Sequence, residues 1–190
     1  MKEYIEDVKK AVEVMRGGGI ILYPTDTIWG IGCDASNSAA VRRIFELKRR
    51  SDSKSMLSLI DSDAKLGYYV PDIPDVAYDL MDLAEKPLTI IYDNVRHMAP
   101  ELIAEDGSAG IRVTREEFSR ELCRRMGGAV VSTSANISGE PSPGNFSDIS
   151  EQIRNGVDYI VEYRQDEKAR AVASGIIKLG SGGLVKVIRE

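Results

Sequence analysis

Ile20-Ile21-Leu22-Tyr23-Pro24-Thr25-Asp26-Thr27-Ile28-Trp29-Gly30-Ile31-Gly32 is the stretch on which the fold turns. Its first four residues are a short apolar run that predicts a buried strand, and Pro24 closes it. A turn bearing hydroxyls and a carboxylate follows, then glycines. Just upstream, Ile5, Val8, Val12 and Met15 recur at helical spacing and predict an amphipathic helix ended by Gly17-Gly18-Gly19. That triplet precedes a strand and lacks a Gly-Lys-Ser/Thr ending, so it is a helix cap and not a phosphate loop. A polar turn where a strand ends is where ligand sites form in open α/β sheets.

Outward from this stretch, Asn37 or Ser38 caps a second helix with Val41, Ile44, Phe45 and Leu47 on its apolar face. Residues 56–60, 88–92 and 110–113 predict strands, and 74–83 predict a helix. Thr114 and Glu117 have capping-box spacing for a helix running to Arg125, stopped by Gly127-Gly128. Residues 129–132 form a small-residue strand entering a Ser-, Asn-, Gly- and Pro-rich loop over 133–145. Ser147 is placed to cap a helix reaching Arg154. Residues 157–163, 174–179 and 184–189 predict strands, with Gly180-Ser181-Gly182-Gly183 as the turn between the last two. Helices and strands alternate early and strands follow one another late. The pattern predicts a single α/β domain over 1–190, with a mixed sheet and helices packed on it.

Composition limits the function. Lys and Arg total 25 against 30 Asp and Glu, a net charge of −5 over 190 residues, so the chain is no general polyanion binder. Cys33 and Cys123 lack metal-ligand spacing and read as reduced thiols. His97 is the only histidine, which excludes a His-rich zinc site; among Val95, Arg96 and Met98 it reads as structural or exposed. The charged N-terminus and the lack of a long apolar run predict a cytoplasmic protein with no membrane partner. Trp29 reads as buried.

Three polar segments lie where strands end. In Thr25-Asp26-Thr27, the side chains either hold a small polar ligand or bond their own backbone as a turn. Arg42, Arg43, Lys48, Arg49, Arg50 and Lys54 concentrate six basic residues, either as an anion site or as a solvated helix C-terminus. The loop from Thr133 to Gly144 is dense in groups that bind phosphate oxygens or a hydrated ion, and loops of its length are commonly functional.

Pro24-Thr25-Asp26-Thr27-Ile28-Trp29-Gly30-Ile31-Gly32 resembles the Pro-Thr-Glu-Thr-Val-Tyr-Gly-Leu-Gly of the YrdC/YciO family. Lys48-x-Arg50 is similar to its Lys-x-Arg, and Ser134-Ala135-Asn136-x-Ser138-Gly139-x-Pro141-Ser142-Pro143 to its Ser-Ala-Asn-x-Ser-Gly-x-Pro-Ser-Pro. The resemblance runs from about Gly19 to Arg189. It implies a twisted mixed sheet with flanking helices and a large concave cleft. It also implies an L-threonylcarbamoyladenylate synthase, a nucleotidyltransferase that joins ATP, L-threonine and bicarbonate for tRNA threonylcarbamoyladenosine modification. Magnesium would arrive with ATP, no metal would be held by the protein alone, and downstream tRNA-modification proteins would take the product.

Carried over residue by residue, the resemblance gives Lys48 and Arg50 the phosphates and the catalytic charge. Thr27, Arg112, Ser132 and Ser174 would contact threonine. Lys54, Ser108, Ser134, Asn136, Ser142 and Arg189 would join Lys48 and Arg50 around the nucleotide. Ser51, Ser55-Met56, Leu59 and Ala173-Ser174-Gly175 depart from the family pattern. Leu59 stands where many synthases carry a threonine-contacting histidine. These departures define the alternative: a YciO-like paralogue that binds nucleotide or double-stranded RNA, without threonine-dependent synthase activity. Direct RNA contact would then use the Arg42–Lys54 patch.

Overall fold

The computed structural model describes residues 3–49, 56–180 and 183–190. Helix α1 (Ile5–Arg16) buries Val8, Ala11, Val12 and Met15, so the apolar stripe does face the core. Gly18 takes φ +83°, which lets Gly18 and Gly19 N–H donate back to the Met15 and Val14 carbonyls. Strand β1 (Ile21–Tyr23) is fully buried.

Gly30–Gly32, which follows the turn and for which the sequence predicts no element, forms strand β2. It pairs antiparallel with β1, placing Gly32 opposite Ile21 and Gly30 opposite Tyr23. Close approach requires glycine here. A β-carbon on Gly32 would lie 2.5 Å from the Val131 carbonyl oxygen and 2.6 Å from the Tyr23 ring.

Helix α2 (Ser38–Leu47) is capped by Asn37, whose side chain accepts from Ala40 N–H. Strand β3 (Leu57–Ile60), the short helix α3 (Leu66–Tyr69), helix α4 (Val76–Leu83), strand β4 (Leu88–Tyr92) and strand β5 (Ala109–Val113) follow. Helix α5 (Glu117–Met126) forms without the expected Thr114–Glu117 capping box. Glu116 is its cap, with the carboxylate accepting from Phe118 and Ser119 N–H. Thr114 is buried and shares a hydrogen bond with the Ser119 hydroxyl instead. Gly127 closes α5 in the left-handed region.

Strand β6 (Val130–Ser134) runs two residues further than expected. Ser147 caps nothing; it sits in a 3-10 turn, and helix α6 (Glu151–Gly156) is capped by Ser150. Of residues 157–163, only Tyr159–Ile160 pairs, as strand β7. Strands β8 (Gly175–Leu179) and β9 (Val185–Arg189) end the chain; residues 181 and 182 of the turn between them lie outside the described residues.

The described strands form one sheet in the order β7-β1-β2-β6-β3-β5-β4-β8-β9. The pairs β1–β7, β3–β5 and β4–β8 are parallel and the others antiparallel, so the sheet is mixed. Helix α1 packs on α5, and α5 on β3. Tyr4, Phe118 and Tyr163 join there, with ring centroids 6.2 Å apart for Tyr4–Phe118 and 5.9 Å for Phe118–Tyr163. Edge strand β9 is exposed along its whole length. Among the described residues, no helix is long and apolar enough to cross a membrane.

Gly32→Ala forces a methyl onto a backbone oxygen that cannot swing away. We expect it to lower the unfolding free energy by about 1–3 kcal/mol, the usual cost of overpacking. Urea denaturation measures this, and an unchanged midpoint would mean that β2 has room to spare.

Candidate active site

Where β1 ends, Thr25 organises the turn. Its hydroxyl accepts from Thr27 N–H at 3.0 Å and donates to the Ile28 carbonyl at 2.8 Å. The turn therefore bonds itself through Thr25, while Thr27 projects into a cavity of about 200 Å³. The two readings of this segment fall on different residues.

Strands β2, β3, β5, β6 and β9 form the cavity with the loops beside them, among them the segment just before β8. Gly30 on β2 pairs with Ser134 on β6, and Leu57 on β3 pairs with Ser132 on β6 and with Gly110 on β5. A β-carbon on Gly30 would come 3.1 Å from Ser132 Oγ, so glycine keeps that hydroxyl open to the cavity. Thr27, Arg112, Ser132, Ser134, Ser142, Ser174 and Arg189 all line this cavity, beside the buried Trp29. The structure thus brings together seven of the side chains expected from the sequence.

Arg112 is buried, with 2 % of its side chain exposed. Its Nη2 lies 2.8 Å from Asp26 Oδ1 and donates to Thr27 Oγ1 at 3.4 Å, and Nη1 donates to Thr89 Oγ1 at 3.4 Å. Nε has no partner. Thr89 Oγ1 is 3.0 Å from Ser174 Oγ. Arg189 Nε donates to the Ser174 carbonyl at 2.8 Å, and Nη2 to Ser174 Oγ at 3.4 Å. A chain Arg112–Thr89–Ser174–Arg189 therefore joins two guanidinium groups across one wall. Burial, and then repulsion from Arg112, hold the Arg189 pKa below its ordinary value. Two cations facing one cavity form an anion site, and guanidinium suits carboxylate and phosphate.

Lys48 is placed differently. It is 1 % exposed, and its ammonium donates to the Asn136 carbonyl at 2.7 Å and to the Ser134 carbonyl at 2.5 Å. The Ser138 N–H returns to the Lys48 carbonyl. Lys48 therefore pins the loop after β6 from behind. Asn136 Nδ2 donates to the Ile137 and Glu140 carbonyls, and its Oδ1 is buried without a partner. Ser108 sits at the start of β5, donating to Asp106, and is not part of the cavity wall. Arg50 and Lys54 lie outside the described residues.

Thr89 is not singled out in the sequence, and Asp26 appears there only as part of the polar turn, with no role of its own. Thr89 belongs to no motif, and only the β4–β5 register brings it to Arg112. His97 is exposed and stacks on Tyr68 with ring centroids 4.2 Å apart. Cys33 and Cys123 are free and buried, and burial pushes both thiols well above their usual pKa. The described residues contain no group of three or more His, Cys, Asp or Glu able to hold a metal ion.

The family model Sua5_yciO_yrdC, described as "Telomere recombination", matches residues 13–190. The threonylcarbamoyl-AMP synthase of Stenotrophomonas maltophilia is 34% identical over 166 residues, covering 85% of this chain and 88% of that protein. The threonylcarbamoyl-AMP synthase of Idiomarina loihiensis is 32% identical over 147 residues, covering 76% and 79%. Among solved structures, P. abyssi Sua5 complexed with L-threonine superposes with a TM-score of 0.82 at 25% identity, over 96% of this chain and 53% of that one. This chain thus spans about half the length of that Sua5. E. coli YciO shares the fold with a TM-score of 0.83 at 24% identity, over 96% and 88% of the two chains.

Lys48→Met removes the donor but keeps an apolar stem of similar reach. The loop carbonyls then lose their buried partner, and the unfolding free energy should fall by about 1–3 kcal/mol in urea. A side chain that served only a ligand's phosphates would leave the ligand-free protein's stability unchanged.

Proposed function

Because this chain belongs to the Sua5/YciO/YrdC family, we propose that it is a threonylcarbamoyl-AMP synthase acting in tRNA modification. The observation that carries this is one cavity holding Thr27, Arg112, Ser132 and Ser174 next to Ser134, Ser142 and Arg189. An amino acid and a nucleotide need adjoining subsites, and this cavity has a guanidinium at each. The reaction is a nucleotidyl transfer: threonine's amine takes up bicarbonate to form a carbamate, a carbamate oxygen attacks the α-phosphorus of ATP, and pyrophosphate leaves.

In this reading, Arg112 holds the threonine carboxylate, with Thr27, Ser132 and Ser174 supplying hydroxyls around the amino acid. Ser134, Ser142 and Arg189 face the nucleotide. Lys48 shapes the nucleotide side through the loop it pins, and Asn136 and Ser108 act from outside the cavity wall. Arg50 and Lys54 add cationic charge toward the phosphates, with Arg50 carrying the catalytic charge and Lys48 acting as a positioning residue for it. Carbamate and triphosphate repel each other, so most of the rate enhancement is positioning and charge stabilisation. Magnesium enters as part of the substrate, carried on the ATP phosphates. The protein works in the cytoplasm and passes the adenylate to later tRNA-modification enzymes.

Two of the basic residues that an RNA-docking role would use are already paired with carboxylates. Arg42 Nη1 lies 2.6 Å from Glu101 Oε1, and Arg43 Nη1 lies 2.8 Å from Asp158 Oδ2. Leu59 is fully buried in register with Arg112, where it packs without offering a polar group.

The test supplies ATP, magnesium, bicarbonate and L-threonine and omits each in turn. Adenylate and pyrophosphate should appear by mass only when all are present. ATP binding without product under every condition would overturn the synthase assignment in favour of the YciO-like one. Arg112→Lys should raise the threonine KM at least tenfold while changing the ATP KM less than threefold, since a lysine cannot reproduce the fork, and a lost bidentate contact costs about 1.4 kcal/mol or more.

A further inference from the structure

The cavity lacks a base. Its described lining is hydroxyls, apolar groups and two arginines, with no carboxylate and no histidine. Carbamate formation from an ammonium group releases a proton, so the site needs an acceptor within reach. Among the described residues, the carboxylate in contact with an arginine of the lining is Asp26.

Three features suit Asp26 to that task. Its side chain is only 12 % exposed, and Oδ1 lies 2.8 Å from Arg112 Nη2. That distance makes an ion pair, yet Oδ1 has no hydrogen-bond partner, so the two groups are close but out of line. Oδ1 is buried against the guanidinium, one residue before Thr27 of the cavity wall. Arg112 Nε is likewise buried and unpartnered. An amino acid, whose ammonium and carboxylate are one carbon apart, can place its carboxylate on the guanidinium and its ammonium on Asp26. Asp26 also lines a second cavity of about 570 Å³ with Asp61, Thr114 and Arg115. The Asp26–Arg112 pair is thus the partition between two cavities, with a solvent path for a proton on the far side.

We propose that Asp26 is a further catalytic residue, the base that accepts the proton released when the threonine amino group becomes a carbamate; this rests on the synthase reading above. In the step, an N–H bond of the ammonium breaks and an O–H bond forms on Asp26. The freed lone pair attacks the bicarbonate carbon and forms the C–N bond. Hydroxide leaves that carbon and departs as water with a second nitrogen proton, leaving the N-carboxylate. Asp26 then passes its proton to water through the larger cavity. Burial raises the Asp26 pKa, an effect Arg112 partly offsets, so the carboxylate is a stronger base than one in water.

Arg112 from β5 and Arg164 from the segment after β7, whose Nη1 donates to the Thr25 carbonyl at 3.0 Å, act on Asp26 most directly, and across the larger cavity it faces Asp61, Asp63, Asp82, Glu85, Lys86, Arg115 and Arg120. Despite burial, pairing with Glu167 holds the Arg164 pKa above its ordinary value. Tyr23, beneath the turn, is held neutral by burial. Above neutral pH, the substrate amine is therefore the group that titrates here.

The test compares Asp26→Asn with the wild type in threonine- and bicarbonate-dependent adenylate formation, with thermal unfolding as the folding control. Asparagine keeps the size and can still pair with its neighbours. We expect kcat at pH 7 to fall by roughly 10²–10⁴ with the ATP KM unchanged within threefold. The variant's rate should then climb roughly tenfold per pH unit toward pH 9 as free amine replaces ammonium in solution, while the wild-type rate climbs less. A folded Asp26→Asn protein with kcat within threefold of wild type overturns the proposal, and so does a loss that is the same at every pH. Asp26→Glu, which keeps the base, should recover activity; a Glu variant as slow as the Asn one counts against the assignment. An inactive wild type would instead sink the synthase reading itself.

Discussion

Two cations have been taken out of water in this fold, and the architecture around the cavity follows from supplying them with partners. A buried charge is tolerated only when hydrogen bonds and counter-charges replace its solvent. Lys48 meets that demand with backbone carbonyls, which fixes the path of the chain after β6. Arg112 meets it with Asp26, Thr27 and Thr89, which fixes the turn after β1 against the middle of the sheet. The two loops that border the cavity are each tied to a cation on a different element. Arg112 retains a donor, Nε, for something else.

The cavity owes its space to missing side chains as much as to present ones. Gly30 lies in the sheet where a larger residue would fill the cavity; a β-carbon there would meet Ser132 Oγ at 3.1 Å and the Thr133 carbonyl oxygen at 3.4 Å. Serines occupy the matching positions on β6. A sheet face floored with glycine and serine leaves a hollow lined by hydroxyls, and such a surface binds polar ligands without the rotamer entropy long side chains would lose.

Much of this could be read in the chain, and the failures have specific causes. Helices α1 and α2, with their apolar stripes and the Asn37 cap, followed from period and capping chemistry. Strand β2 was hidden because Gly-Ile-Gly carries no alternation and has low strand propensity; its pairing depends on close packing against Tyr23 and Val131. The α5 and α6 caps were misplaced by two or three residues because several Ser, Thr and Glu side chains compete near each start, and tertiary contacts choose among them. The resemblance named residues of the cavity that spacing alone left ambiguous. Thr89 had no motif to reveal it, and Asp26 sat inside a segment whose neighbours explained it as a turn.

Arg189 is the last charged group of the cavity wall, and it is carried by the strand with least support. Strand β9 pairs on one side only and exposes Val185, Val187 and Ile188 to solvent. Edge elements open at a lower free energy than the middle of a sheet. Whatever frays β9 therefore withdraws a guanidinium from the cavity while leaving Arg112 in place. The anion capacity of the site is thus graded: one charge is locked into the core, and the other is lent by the rim and depends on local folding. A ligand bridging the two would tighten the rim, and amide exchange along β8 and β9 would slow in proportion to its occupancy.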